Sequence, residues 1–303
     1  MIPNMKFYVI SIVAIFAALG IGIYIGFAFD TQSFVVEQRE DIIQKLEEKF
    51  DFLKAENQDL KLELEELESE NKNCKSYMVS TYEEMVKNRL LGKSVAIIET
   101  KDDYMYSGIG QILESAGAKV INVTTINDNL MDRELLKRIY EQIETPEIGK
   151  LTEDVDLVPR AVKEMAMGII SGEGSDFIKK LEENHIINIV GVINEPVDYI
   201  VIAGGSLKED KERLNLIDKT IVETTKNMEK DIIGIEKTKI GFSYMESYKG
   251  FKISTVDNVD TIIGKVSLVL AMEGRPGHYG TKITAEELIP NLKTSLTEYS
   301  KER

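Results

Sequence analysis

The 303-residue sequence has few of the residues that build metal centres and disulfide frameworks. It contains a single cysteine, Cys74, and two histidines, His185 and His278. One cysteine excludes an intrachain disulfide framework and any cysteine-rich zinc or iron–sulfur site. Two histidines exclude a zinc centre of the usual multi-histidine kind. The 11 methionines form no dense cluster, so the sequence predicts no resident metal site.

Basic clusters and catalytic motifs are also missing. The net charge is −15, from 37 Lys and Arg against 52 Asp and Glu. This balance argues against nucleic acid as a partner and against attachment to anionic lipid by charge. The sequence has no G-x-S-x-G, H-E-x-x-H, C-x-x-C or G-x-G-x-x-G motif and no phosphate-binding loop. We therefore predict a protein that is not an enzyme, with no catalytic residues and no cofactor.

Residues 7–29 carry no charge and predict a transmembrane helix. About 20 apolar residues span a hydrocarbon core of roughly 30 Å. The alternative is a cleavable signal peptide, whose apolar region has about 7–15 residues before a small-x-small cleavage site. The run here is longer, and Ala28 lies between Phe27 and Phe29. We favour an uncleaved anchor.

The charges that flank the span predict its orientation. Lys6 precedes it, and Asp30, Glu37, Glu40 and Asp41 follow it with Arg39. By the positive-inside tendency, residues 1–6 are cytoplasmic and the chain after the span is extracytoplasmic. The sequence therefore predicts a single-pass protein of the cell membrane. Small residues recur every four positions along the span, and this spacing favours helix pairing in a membrane; they are Ala14, Ala18, Gly22 and Gly26.

Residues 30–91 contain no glycine or proline and predict a coiled-coil stalk. The apolar heptad over 36–78 places Ile43, Phe50, Asn57, Leu64 and Asn71 at position a, with Val36 and Met78 at its ends, and Leu46, Leu53, Leu60, Leu67 and Cys74 at position d. Asparagine at position a favours a coiled coil of two helices in register. We predict a parallel homodimer with a stalk of about 65 Å. The alternative is a lone amphipathic helix folded back on the following domain.

Residues 92–303 predict one α/β domain with a Rossmann-like, mostly parallel sheet. Short apolar runs predict the strands and amphipathic runs predict the helices. The predicted strands are 94–99, 119–124, 198–205, 239–244 and 252–256. The predicted helices are 105–117, 131–144, 155–171, 175–184, 208–228 and 259–272.

Three segments of this domain are candidate sites. Gly204, Gly205 and Ser206 follow a buried strand, where open α/β sheets bind ligands, although Ser206 with Glu209 also fits a helix-capping box. Arg275, His278 and Tyr279 lie in a Gly/Pro-rich loop that we expect to expose them to a partner; the alternative is a plain connector. An acidic group after the first strand fits either a hard cation or solvated helix caps; it consists of Glu99, Asp102 and Asp103.

Several segments in this order resemble the MctB-type copper transport protein family, which includes SteB-like proteins. They are VAIFAALGIGIYIG in the span, then LLGKSVAIIETKDD, VDYIVIAGG and GRPGHYGTKITAEELIP. The resemblance covers nearly the whole chain. It implies a single-pass protein facing the cell exterior, with a role in copper handling. It also implies a role in cell division and envelope remodelling, together with a SteA-like membrane partner.

Three functions remain open from the sequence. The first is a dimeric envelope scaffold that binds a partner without catalysis, and this is the function we favour. The second is a component of copper transport or homeostasis, for which copper is implied by the resemblance alone. The third is an envelope hydrolase or transferase that uses the strand-end loops.

Overall fold

A computed structural model describes residues 5–143 and 156–291, without the side chains of 30–38, 40 and 41. Parts of several predictions lie outside these residues: the segment before Met5, the side chain of Val36, the helix ends at 144 and 155, and the chain after Asn291. The chain divides into two compact units, Met1–Lys75 and Ser76–Arg303. The second unit begins upstream of the predicted boundary at Gly92.

The first unit consists of a helix. Helix α1 is continuous over Met5–Val86, in agreement with a sequence that has no proline there. Its segment Met5–Phe29 is long and apolar enough to cross a membrane, which confirms the predicted apolar helix. The apolar side chains at the predicted heptad positions are exposed along α1; they are Ile43, Leu46, Phe50, Leu53, Leu60, Leu64 and Leu67. A second helix against this stripe stays a prediction.

The second unit is built on a mostly parallel sheet, as predicted. Its strands within the described residues are β1 Ser94–Glu99, β2 Lys119–Ile126, β3 Ile187–Gly191, β4 Tyr199–Ala203, β5 Asp231–Ile235, β6 Ser254–Val256 and β7 His278–Tyr279. Their order in the sheet is β3-β2-β1-β4-β5-β6-β7. Strand β3 is antiparallel to β2, and the other neighbouring pairs are parallel.

Helices connect the strands. After α1, the described α-helices are α2 Ile109–Ser115, α3 Arg133–Gln142, α4 Leu157–Ser171, α5 Asp176–Glu183, α6 Lys211–Arg213, α7 Lys219–Asn227, α8 Met245–Gly250 and α9 Ile262–Met272, with a 3₁₀ helix Asp128–Met131 before α3 and a π-helical turn Leu214–Asp218 between α6 and α7. Side chains that accept a backbone hydrogen bond begin five of them, as N-capping requires: Asp132 at α3, Asp156 at α4, Ser175 at α5, Asp210 at α6 and Thr261 at α9.

Hydrophobic cores lie on both faces of the sheet, as expected for parallel strands. One core is formed with α3, α4, α5, α7 and α8. The other is formed with α2, α9 and the last turn of α1, which contributes Val86. Leu90, just after α1, is also buried there. The chain entering β1 is therefore part of the second unit's core.

The structure corrects the strand predictions at one predicted strand and adds three others. Residues 239–244 do not form a strand: they make an isolated antiparallel bridge between Phe242 and Ser206 before α8 begins. Tyr244 is buried and Ile240 and Phe242 are partly buried, so the segment has an alternating apolar pattern that periodicity cannot distinguish from a strand. Strands β3, β5 and β7 were not predicted. Gly234 interrupts the apolar run of β5, and the ring of Tyr248 packs where its side chain would be.

Candidate functional site

The candidate site lies where β1 and β4 end side by side. From β1 the chain continues to β2 on one side, and from β4 it continues to β5 on the other. In open α/β sheets, ligands bind in the crevice outside such a switch point. Here the crevice is bridged by the protein itself: the Thr100 amide donates to the Ala203 carbonyl at 3.0 Å, and the Tyr106 hydroxyl donates to the Gly204 carbonyl.

A buried arginine ties together the ends of β1 and β2. The side chain of Arg213 is 1% exposed. Its Nη2 donates to the Thr100 carbonyl at 2.8 Å and to the Ile126 carbonyl at 3.1 Å. Its Nη1 lies 3.3 Å from Oδ1 of Asp128, which compensates the guanidinium charge. Arg213 therefore occupies carbonyl groups that would otherwise be available to accept a hydrogen bond from a ligand.

A buried carboxyl and a buried phenol lie beside this arginine. The Tyr248 hydroxyl donates to Oδ1 of Asp218 at 2.5 Å. Burial raises the pKa of Asp218 to about 7, although the Tyr248 hydroxyl and the Arg213 charge oppose the shift. Burial also raises the pKa of Tyr248 well above its ordinary value. We call Tyr106, Gly204, Arg213, Asp218 and Tyr248 the strand-end cluster.

An ion pair with a buried carboxylate lies at the end of β5. Glu236 is fully buried, and it accepts hydrogen bonds from the Ser243 hydroxyl at 2.6 Å and the Tyr244 amide at 2.7 Å. Lys282 pairs with the same carboxylate and also donates to the Lys237 carbonyl at 3.0 Å. The chain after β7 is therefore attached, through Lys282, to the end of β5.

A buried carboxylate also lies at the end of β6. Asp257 is buried and accepts hydrogen bonds from the amides of Thr281 and Lys282 at 2.8 and 2.9 Å. Gly280 has φ +138° and lies against the Asp257 carboxylate, so a side chain at this position would collide with it. The carboxylates at the ends of β5 and β6 are thus saturated by the protein's own groups.

The predicted partner loop does not expose its arginine and tyrosine. Arg275 is 9% exposed and lies 3.2 Å from the Glu273 carboxylate. Tyr279 is 5% exposed, and its hydroxyl donates to the Arg275 carbonyl at 3.0 Å. His278 is half-buried, with Nδ1 2.9 Å from the Thr255 hydroxyl. The expected exposure is wrong for Arg275 and Tyr279: Tyr279 joins the sheet in β7, and Arg275 pairs with Glu273. Partner binding by the loop stays a prediction.

The Gly204–Ser206 turn is at the predicted strand end, but its serine does not cap a helix. A side chain on Gly204 would collide with the rings of Tyr248 and Tyr244. The hydroxyl of Ser206 donates to the Lys208 carbonyl at 2.6 Å. The N-cap of α6 is Asp210, which accepts from the Arg213 amide at 3.0 Å. The capping-box alternative for Ser206 is therefore wrong.

The acidic group after β1 makes local hydrogen bonds. Glu99 accepts from the Tyr106 amide at 3.0 Å and from the Thr125 hydroxyl at 2.6 Å. Asp103 accepts from the Leu207 amide at 2.8 Å and lies 3.5 Å from Lys101. In the described ranges 5–143 and 156–291, no group of three or more His, Cys, Asp or Glu side chains could hold a metal ion.

A comparison with known families matches nearly the whole chain. The model of one family, described as "Copper transport outer membrane protein, MctB", matches residues 1–290. The chain belongs to the MctB family. A search of curated proteins finds no match. The family match spans the apolar segment, the rest of α1 and nearly all of the α/β unit, so all three are parts of an MctB-type chain.

The sequence prediction of the site missed its most buried members. The pattern over 208–228 predicts an ordinary amphipathic helix that includes Arg213 and Asp218, and no motif marks Tyr248. One signal was present: Asp218 follows Leu214 and Ile217 on the apolar side of that helix, where all three are buried. A carboxyl on an apolar helix face needs a buried partner, because burying it unpaired is costly. The sequence does not indicate that this partner is Tyr248.

Proposed function

We propose that this MctB family member is a single-pass, membrane-anchored protein whose α/β unit binds a partner without catalysis. One observation carries the proposal: at the switch point, where α/β enzymes bind their substrates, the strand ends are hydrogen-bonded to side chains of the strand-end cluster. The apolar segment Met5–Phe29 supports the anchor. The partner that fits this proposal is a SteA-like membrane protein, in a role in cell division and envelope remodelling.

The exposed stripe of α1 supports a homodimer as the working unit. Leu46, Phe50 and Leu53 are each more than half exposed on α1, and a parallel second copy would cover them. Both copies would enter from the same membrane, so the small residues Ala14, Ala18, Gly22 and Gly26 would continue the seam. Asn57 and Asn71 at position a would set the register.

Cross-linking through Cys74 tests the dimer. Cys74 is exposed on α1 and would meet its counterpart at a d position of a parallel coiled coil. Mild oxidation of membranes carrying the full chain should give a disulfide-linked dimer on non-reducing gels, and Cys74→Ser should abolish it. If Cys74 does not cross-link although it reacts fully with a maleimide, the parallel pairing is wrong.

Co-purification tests the binding role. The full chain, solubilised in detergent, should retain a membrane protein in near-stoichiometric amount. Replacing Leu53 and Leu60 with lysine should remove the homodimer. If this variant still retains the membrane protein, the α/β unit captures it; if not, capture depends on the stripe. Purified full chain that hydrolyses or transfers an envelope polymer would instead favour the enzyme alternative.

Copper transport is the second candidate function, because the family's description names it. Copper would then be the transported ion. A Cu(I) site requires converging thiolate, thioether or imidazole ligands. We expect the full chain with Cys74→Ser not to bind Cu(I) stoichiometrically at sub-micromolar concentration in a competition titration. Tight binding by that variant would make copper handling the better proposal.

A further inference from the structure

Strand β3 forms one edge of the sheet and lacks the usual protection of an edge strand. In the described part of the chain, β3 pairs with β2 on one side only. The sequence around it, IINIVGVIN over 186–194, contains no charged residue and no proline. Natural edge strands usually carry a lysine, a proline or a bulge that blocks pairing with another strand. An edge strand without such a block can hydrogen-bond to a strand of another chain.

Two hydrogen bonds determine which backbone groups of β3 point outward. The Val192 amide donates to the Ile121 carbonyl at 3.2 Å, and the Asn127 amide donates to the Ile186 carbonyl at 2.9 Å. Residues of an antiparallel strand alternate between bonding to one neighbour and to the other. The even-numbered residues therefore bond to β2. The amides and carbonyls of Ile187, Ile189 and Gly191 face away from β2.

The side chains of β3 also leave apolar surface exposed. Ile187 is buried and Ile189 packs against the core beneath α3, α4 and α5. On the opposite face, Val190 and Val192 are 64% and 56% exposed, and Asn188 is exposed beside them. A surface that binds an added strand offers unpaired backbone groups and exposed apolar side chains, and β3 has both.

We propose that β3 pairs antiparallel with β3 of a second copy of this chain, about a two-fold axis at Ile189. In this register Ile187 lies opposite Gly191 of the second copy and Ile189 lies opposite its own counterpart. All the outward amides and carbonyls of both strands then find partners. Val190 lies opposite Asn188 of the second copy in a pair without hydrogen bonds, where cross-strand side chains are closest.

Charge supports a second copy as the occupant. A chain with net charge −15 repels its own copies over most of its surface. The uncharged run 186–194 is a place where two copies can meet without that repulsion. A short strand pair is weak by itself, but two chains already paired through α1, as in the proposed function, would hold the edges at a high effective concentration.

Paired cysteines test both the contact and its register. In the full chain with Cys74→Ser, the double variant Asn188→Cys/Val190→Cys should form a disulfide dimer in oxidised membranes. The facing Cα atoms would be about 4.5 Å apart, within the range of roughly 4.4–6.8 Å that disulfides need. Each single variant should give about fivefold less dimer, since identical residues are then offset along the strands. The three variants differ only at exposed positions.

The outcomes distinguish this proposal from the proposed function. Equal cross-linking of the double and single variants would mean random collision and would overturn the edge contact. A Cys74 cross-link in the native chain without a 188–190 cross-link would leave pairing through α1 intact and reject pairing through β3. Protection of the Val190→Cys thiol from a maleimide, without cross-linking of the double variant, would show that another protein covers the edge. Circular dichroism of each variant should match that of the native chain.

Discussion

At the scale of single residues, Asp218 gives the α/β unit a pH-dependent stability of unusual sign. Burial raises its pKa to about 7, from an ordinary value of about 4. Between these values the folded chain keeps the proton and the unfolded chain has released it. The contribution of Asp218 is therefore most favourable below about pH 4 and is lost as the pH rises to about 7.

Asp218→Asn should remove this dependence. The amide cannot ionise, and its oxygen can still accept the hydrogen bond from Tyr248. From pH 5 to pH 7, the free energy of unfolding of the native chain should fall relative to that of the variant by up to about 1.4 kcal/mol per pH unit. Thermal unfolding of both full chains in detergent, followed by circular dichroism, measures the difference. Parallel pH profiles would mean that Asp218 titrates normally.

At the scale of elements, the attachment of the segment after β7 depends on Lys282. Lys282→Ala would leave the buried Glu236 carboxylate without its cation, although Ser243 and Tyr244 would still donate hydrogen bonds to it. Breaking a buried pair from one side costs about 3–5 kcal/mol. Lys249→Ala is the matched control, because it breaks the exposed pair with Glu286, worth about 0–1 kcal/mol. Similar losses of unfolding free energy in the two variants would contradict the attachment.

The elements also reveal the limits of the sequence prediction. β1 and β4 were predicted closely because each is a continuous apolar run covered on both faces of the sheet. β5 was missed because Gly234 makes room for Tyr248, a contact between residues distant in sequence. The strand-end cluster was missed for the same reason: Arg213 bonds to carbonyls of β1 and β2 that only the fold brings together. Hydrophobic periodicity reports burial, but it does not report which buried partner a polar group will find.

At the scale of the whole molecule, the orientation of the chain in the membrane is the prediction on which a partner-binding role depends. Lys6 precedes the apolar segment and acidic residues follow it, so we expect residues after Asp30 to be extracytoplasmic. In the Cys74→Ser background, Glu114→Cys introduces a thiol at an exposed position of α2. A membrane-impermeant maleimide should label this thiol in cells whose inner membrane is intact.

Lys6→Cys is the matched control on the other side of the span. Its thiol should react with the maleimide only after the membrane is opened with detergent. The reverse pattern would place the α/β unit in the cytoplasm, and the proposed partner on the outer side would then be wrong. Labelling of both thiols in intact cells, together with recovery of the chain in the outer-membrane fraction, would favour the location that the family's description names over an anchor in the cell membrane. Each pattern thus assigns the α/β unit to one compartment, which restricts the partners that it can meet.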